Sequence, residues 1–459
     1  MNHPDFSNLQ ACVEDAKTAA LDTNAGPADP TDYRQLLFRL EAAREKLPPL
    51  YREKVFQPIA RALDELSESG FVELLKRDPD REREAGLLMD IVQAILQNGE
   101  GYEQTATDAF QEVVSDLYDG FLSAGDRAGI KPPDHSVIAP LVKWGRPQYG
   151  PYTWPVDAAA HFGLETGIVN LPPSHAKQGL LAWSALAHET AGHDILHADT
   201  GLLQELSQVV RQELIGQKFS RSLAEYWALR IDETASDVLG VLNMGPAAGI
   251  GLIGYFRALN GAWGGTPKLR NTGPDYDPHP ADILRGYLAA ETVRLLRFDG
   301  APLWADALAA ETDKDLGTIV LGRTTVDDDT AKRSAAAVAA AIAESPLKSL
   351  EDHALAQIQN WHDRDEQIAA SIRSHLSSAG DLNDCYVSGM YAAHVVAAAV
   401  TGALGQGANI PEIFQRMVTV LKSMHDANPA WGPLYVRHPG DLQPHRVYTR
   451  PAAESVAAG

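Results

Sequence analysis

Two histidines five residues apart, His188 and His193, bracket Glu189 in the run GLLAWSALAHETAGHDILH. That spacing restricts the local backbone more than any other feature of the chain. The run reads as a helix, and on a regular α-helix residues five apart point about 140° away from each other, whereas residues four apart differ by about 40° and share a face. His188 and His193 can grip one ion only if the helix carries a local π-bulge, a distortion that gathers at functional sites. Gly192 sits where such a bulge falls, and glycine tolerates it best. A regular helix instead aligns Glu189, His193 and His197, so a rival ligand pair, His193 with His197, stays open.

Glu233, 40 residues after His193, lies in a second acidic run, Asp232-Glu233-Thr234-Ala235-Ser236-Asp237. Two imidazoles and one carboxylate are what a catalytic Zn²⁺ needs when one coordination position stays open for water. The intervening Glu189 is the natural general base for that water. Asp237 lies four residues after Glu233 and therefore on the same helix face. Ala235, Val238 and Leu239 mark this helix as buried, and burying Glu233 and Asp237 without a cation is expensive.

The six residues from His188 to His193 resemble the HExxGH motif of the dipeptidyl peptidase III family. The run 232–237 resembles the glutamate-donating helix of gluzincins, whose pattern is Asn/Asp/Gly-Glu-x-x-Ser/Ala-Asp. These resemblances imply a zinc metallopeptidase that hydrolyses peptide bonds through a water activated by the ion. His188, His193 and Glu233 are then the metal ligands, Glu189 the base, and Asp237 the acceptor of a metal-bound histidine's distal N–H. Further on, Asp277-Pro278-His279-Pro280-Ala281-Asp282-Ile283-Leu284-Arg285 places an arginine six residues after a His-Pro pair. It resembles an element of CAAX-type zinc proteases, which implies that His279 and Arg285 stabilise the oxyanion of the tetrahedral intermediate. The alternative is a proline-flanked turn in which His279 caps the following helix and Arg285 pairs with a surface acid. The resemblances are confined to roughly residues 150–290.

The segments 150–156 and 166–173 are short β-branched and aromatic runs bounded by Gly and Pro, and they read as strands. Pro151 and Pro155 make the first an edge or irregular strand, where an extended peptide could add as a further strand. Residues 1 to about 135 and those after Pro302 read as helices with apolar residues recurring at three and four. The expected fold is mainly α with a small β-sheet (α+β): an N-terminal helical region at 1–135, a zincin-like metal-binding core at 136–300 and a C-terminal helical region at 301–459. Helical lobes beside the core would limit access to peptides or other small flexible substrates.

A net charge of −22 argues against a nucleic-acid backbone or an anionic membrane as partner. The longest apolar stretches, 244–256 and 391–404, are shorter than a bilayer span, and the N-terminus lacks the pattern of a secretory signal. Only Cys12 and Cys385 are present, which excludes a disulfide framework and a thiolate zinc cluster. A cytoplasmic protein is expected. His394, on an apolar helix, reads as a satisfied core histidine, and the run GIGLIGYF as close helix packing. Besides a peptidase, two other readings fit the chain: a metal-dependent hydrolase of a non-peptide substrate, and a helical binding protein with a vestigial metal site. An intact Glu189 speaks against the last, because a structural site needs no base.

Overall fold

The computed structural model describes residues 4–432 apart from 124–126, 128, 136–137 and 379, together with 434–436 and 442–444. The chain is 64 % helical with a small three-stranded mixed sheet beside the histidine run, which is the expected mainly α class. The sheet consists of β1 (Leu141–Trp144), β2 (Tyr152–Trp154) and β3 (Ile168–Leu171) in the order β1-β3-β2. β1 runs parallel to the central strand β3, and β2 runs antiparallel to it at the edge. Pro151 and Pro155 flank β2 and cannot donate to a ladder, which suits an edge position.

β1 is absent from the strands expected above, and Lys143 is the reason. A lysine in a four-residue run reads as a surface residue, but its ammonium is buried against Asp90 of the helix Glu84–Glu100. Tyr152 Oη and Trp154 Nε1 donate to the same carboxylate at 2.7 and 2.8 Å. Three donors thus compensate one buried anion, as the cost of desolvation demands.

The period-two alternation of strands splits the sheet cleanly. Leu141 and Ile168 face a small cluster formed with the helices Tyr33–Arg44, Gln57–Arg77 and Glu84–Glu100. Val142, Trp144, Val169 and Leu171 face the larger core. Thr153, opposite Val169 in the register, points to that second side, away from Tyr152 and Trp154.

The larger core draws on residues before 135, between 136 and 300, and after 301. At its centre lies the histidine helix Leu180–His188, all nine residues of which are buried. Helix Pro246–Trp263 packs on it through the glycines of GIGLIGYF. A Cβ on Gly251 would lie 1.8 Å from Ser184 Oγ, and one on Gly254 would lie 2.6 Å from Leu181 Cδ1. Close packing is therefore what those glycines permit. His394 is satisfied in the core: its Nδ1 accepts from Tyr391 N and its Nε2 faces Asp365 at 3.0 Å.

The C-terminal region departs from all-helix in a hairpin of β5 (Ile319–Leu321) and β6 (Thr324–Val326) turning at Gly322, with the short strand β4 (Thr272–Gly273) beside β5, and in the antiparallel pair β7 (Leu434–Val436) and β8 (Leu442–Pro444). The β-branched residues of β5 and β6 and the left-handed φ of +57° at Gly322 explain the first of these turns. Among the described residues, no helix is long and apolar enough to cross a membrane.

Candidate metal centre

At His188 the histidine helix changes pitch. Residues Glu189–Asp194 form a π-helical turn and Ile195–His197 a 3₁₀ turn. In a π-turn the hydrogen bonds run from i to i+5, so residues five apart align and His188 and His193 come to one side. Their Nε2 atoms face each other at 3.1 Å.

Gly192 does more here than relax a distortion. The turn crosses the glutamate helix Ile231–Met244 so closely that a Cβ on Gly192 would lie 2.2 Å from Ser236 Cβ and 2.4 Å from Ser236 Cα. Gly240, on the facing helix, leaves similar room for His188 N at 3.2 Å. Gly192→Ala should therefore force the two helices apart, at an overpacking cost of about 1–3 kcal/mol. Denaturant unfolding of the variant without added metal measures this. Wild-type stability would contradict the contact.

The crossing delivers Glu233 to both histidines. Its Oε2 lies 3.3 Å from His188 Nε2, and its Oε1 lies 3.4 Å from His193 Nε2. The far side of each ring meets a carboxylate: His188 Nδ1 bonds Asp237 at 2.8 Å and His193 Nδ1 bonds Asp232 at 2.9 Å. Carboxylates at both Nδ1 atoms favour the proton there, so that a cation displacing the Nε2 protons would meet two Nε2 lone pairs aimed at the same point. Two Nε2 atoms 3.1 Å apart, beside a carboxylate whose Oε2 is buried without a hydrogen-bond partner, form a group that could hold a cation. Tetrahedral zinc with bonds of about 2.0–2.1 Å separates its ligands by about 3.3 Å. The three separations here, 3.1, 3.3 and 3.4 Å, match one face of that tetrahedron. Among the described residues, this is the one group of three or more His, Cys, Asp or Glu donors close enough to share an ion.

Burial works against charge on Glu233, yet as long as no cation displaces their protons His193 and His188 beside it hold its carboxyl well below the usual range. Burial likewise opposes ionisation of Asp237, and Arg285 and His188 overcome it. Asp232 and Glu233 also stand in the first turn of their helix, where the helix dipole favours anions.

Glu189 is 6 % exposed, and its Oε2 accepts a hydrogen bond from Thr153 Oγ1 of the edge strand at 2.8 Å. His279 stands at the rim with its side chain 46 % exposed. Its Nε2 lies 3.2 Å from Glu233 Oε1 and its Nδ1 bonds Asp277 at 3.0 Å. It does not cap the helix Asp282–Arg294: Ala281 occupies the cap position, without a side-chain cap.

Arg285 is buried. It takes Asp237 through Nε and Nη2 at 2.7 and 2.8 Å, lies 3.5 Å from Glu233 and stacks over Phe256. Its guanidinium thus holds Asp237 and also borders the centre directly, with Nη2 3.4 Å from His188 Nδ1, and it pairs with no surface acid.

His197 stands outside the group of converging donors. Its Nδ1 bonds Asp157 at 2.8 Å and its Nε2 lies 3.5 Å from Asp232 Oδ2. The rival pairing of His193 with His197 belongs to a regular helix, and the π-turn breaks that register. Burial opposes a charge on His197, but Asp157 and Asp232 outweigh it and push its pKa up to about 9.

Thr153, Asp157 and the part played by Asp232 were not legible in the sequence. The first two reach the turn across 36 and 40 residues and have no local signature. No protein-family model, curated protein or solved structure matches this chain.

Proposed function

We propose that this protein is a zinc-dependent peptidase, with His188, His193 and Glu233 as the ligands. The observation that carries the reading is the pair of Nε2 atoms facing each other with Glu233 across from them, on a turn whose Glu189 is tied to an edge strand. A zinc ion held there would polarise a substrate carbonyl and acidify a water molecule.

The remaining chemistry falls to the chain. Glu189 takes the water's proton and returns it to the departing amine. Thr153 occupies its Oε2 and leaves Oε1 for that task. The outer edge of β2 gives an extended peptide a strand to pair with, so that main-chain bonds align the scissile carbonyl. Asp237 and Asp232 fix the tautomers of the two histidines. Arg285 holds Asp237 in place and balances the charge of the two buried carboxylates. We assign Arg285 this positioning role in place of direct oxyanion contact.

His279, half exposed at the rim, is the donor to the developing oxyanion. His279→Ala should lower kcat by roughly 10²-fold with little change in KM and should keep its metal, because His279 is not a ligand. A variant impaired only in stability would return His279 to a structural role.

We place the protein in the cytoplasm, on the strength of two buried cysteines that are both free.

The function is tested by digesting a broad peptide library with the zinc-loaded protein and reading new termini by mass spectrometry. Cleavage should stop with a chelator and return with zinc. An absence of new termini from protein verified to hold one zinc per chain would refute a peptidase.

A further inference from the structure

The π-turn and the 3₁₀ turn after it are gripped by the segment that forms and follows the edge strand. Thr153 Oγ1 bonds Glu189 Oε2 at 2.8 Å, Val156 N donates to Asp194 Oδ1 at 3.1 Å, and Asp157 Oδ2 meets His197 Nδ1 at 2.8 Å. The third of these contacts continues inward. His197 Nε2 is buried without a hydrogen-bond partner and lies 3.5 Å from Asp232 Oδ2, and the other oxygen of Asp232 receives His193 Nδ1 at 2.9 Å. A chain of side chains thus runs from the exit of β2 to a candidate metal ligand: Asp157, His197, Asp232, His193.

The middle of that chain is where position is decided. The Asp232 side chain is 44 % exposed and that of Asp157 is 54 % exposed, whereas His197 between them is only 18 % exposed. A half-exposed aspartate has water as an alternative partner and rotamers that face it. A fixed imidazole 3.5 Å from one oxygen restricts that freedom and keeps the other oxygen toward His193 Nδ1. Asp157, carried on the turn Val156–Ala159 directly after β2, anchors the imidazole from the other side.

We propose that His197 is a positioning residue for the metal centre, holding Asp232 against His193 and tying both, through Asp157, to the edge strand. This rests on the metal site proposed above.

The test is the zinc affinity of the full-length chain, measured by competition with a chromophoric chelator, in wild type, His197→Ala, Asp232→Ala, the double variant and Asp157→Ala. Asp232→Ala should weaken zinc binding by roughly 10–100-fold, the usual effect of losing such a support. His197→Ala should weaken it by a smaller factor. The double variant should match Asp232→Ala alone, because His197 acts through Asp232. A general loss of structure would instead lower the melting temperature of the metal-free protein and add to the effect of Asp232→Ala.

Wild-type zinc affinity in His197→Ala, or additive losses in the double variant, would overturn the proposal. Should His197→Ala fail to fold, Asp157→Ala decides at the exposed end of the chain: reduced affinity supports the link and unchanged affinity refutes it. A wild type that binds zinc no better than His188→Ala would overturn the metal site itself, and His197's role with it. Unchanged affinity in the support variants beside a zinc-binding wild type removes only the role of His197.

Discussion

His188→Ala and Glu233→Ala should each purify without zinc from conditions in which the wild type carries about one ion per chain. Each change removes one of three donors whose mutual separations are 3.1, 3.3 and 3.4 Å. The two donors left cannot hold zinc against solvent, whose ordinary protein sites have three or four ligands. Glu233→Ala does further damage, because it leaves Arg285 and two imidazoles around a point that has lost its nearest anion. Elemental analysis of the purified variants gives the result. Full metal in His188→Ala together with an empty site in His197→Ala would restore the regular-helix pairing and reject the π-turn as the organising feature.

Glu189→Gln should keep the zinc and the fold and lose about 10²–10⁴-fold in turnover, the range supplied by a positioned general base. The substitution preserves shape, and the amide oxygen can still accept the Thr153 hydroxyl that bonds Oε2, so the π-turn keeps that contact. What disappears is the oxygen that accepts the water's proton. Turnover of a cleaved library peptide, normalised to bound zinc, is the readout. Undiminished turnover at full metal content would remove Glu189 from the role of base.

The parts of this architecture that were readable in the sequence are those written in local spacing. The apolar period of three and four marked the long helices such as Tyr33–Arg44 and Ile410–Asp426. The five-residue separation of His188 and His193 called for a π-turn if both were to meet one ion, with the regular-helix pairing left open, and a π-turn is present at Glu189–Asp194. Asp237 could be placed on the face of Glu233, because it follows by one helical turn, and the structure gives it His188 as its partner.

What stayed hidden depends on contacts between distant segments. β1 was masked by Lys143, whose charge is absorbed by Asp90, 53 residues away. Thr153 and Asp157 look like ordinary residues at the end of a strand until the sheet brings them to the turn. Arg285 could be tied to the site by resemblance, but its bidentate contact with Asp237 depends on how two helices cross. Asp232 stood next to Glu233 in plain view. Its partner emerges only once the turn has rotated His193 Nδ1 toward it.

Anomalous diffraction from zinc-soaked crystals of the full chain, recorded on either side of the zinc absorption edge, tests the central claim most directly. A single peak about 2.0–2.2 Å from His188 Nε2, His193 Nε2 and a Glu233 oxygen, with His197 still on Asp157, is the predicted result. A peak bound by His193 and His197, or no peak between His188 and His193 at saturating zinc, would contradict it.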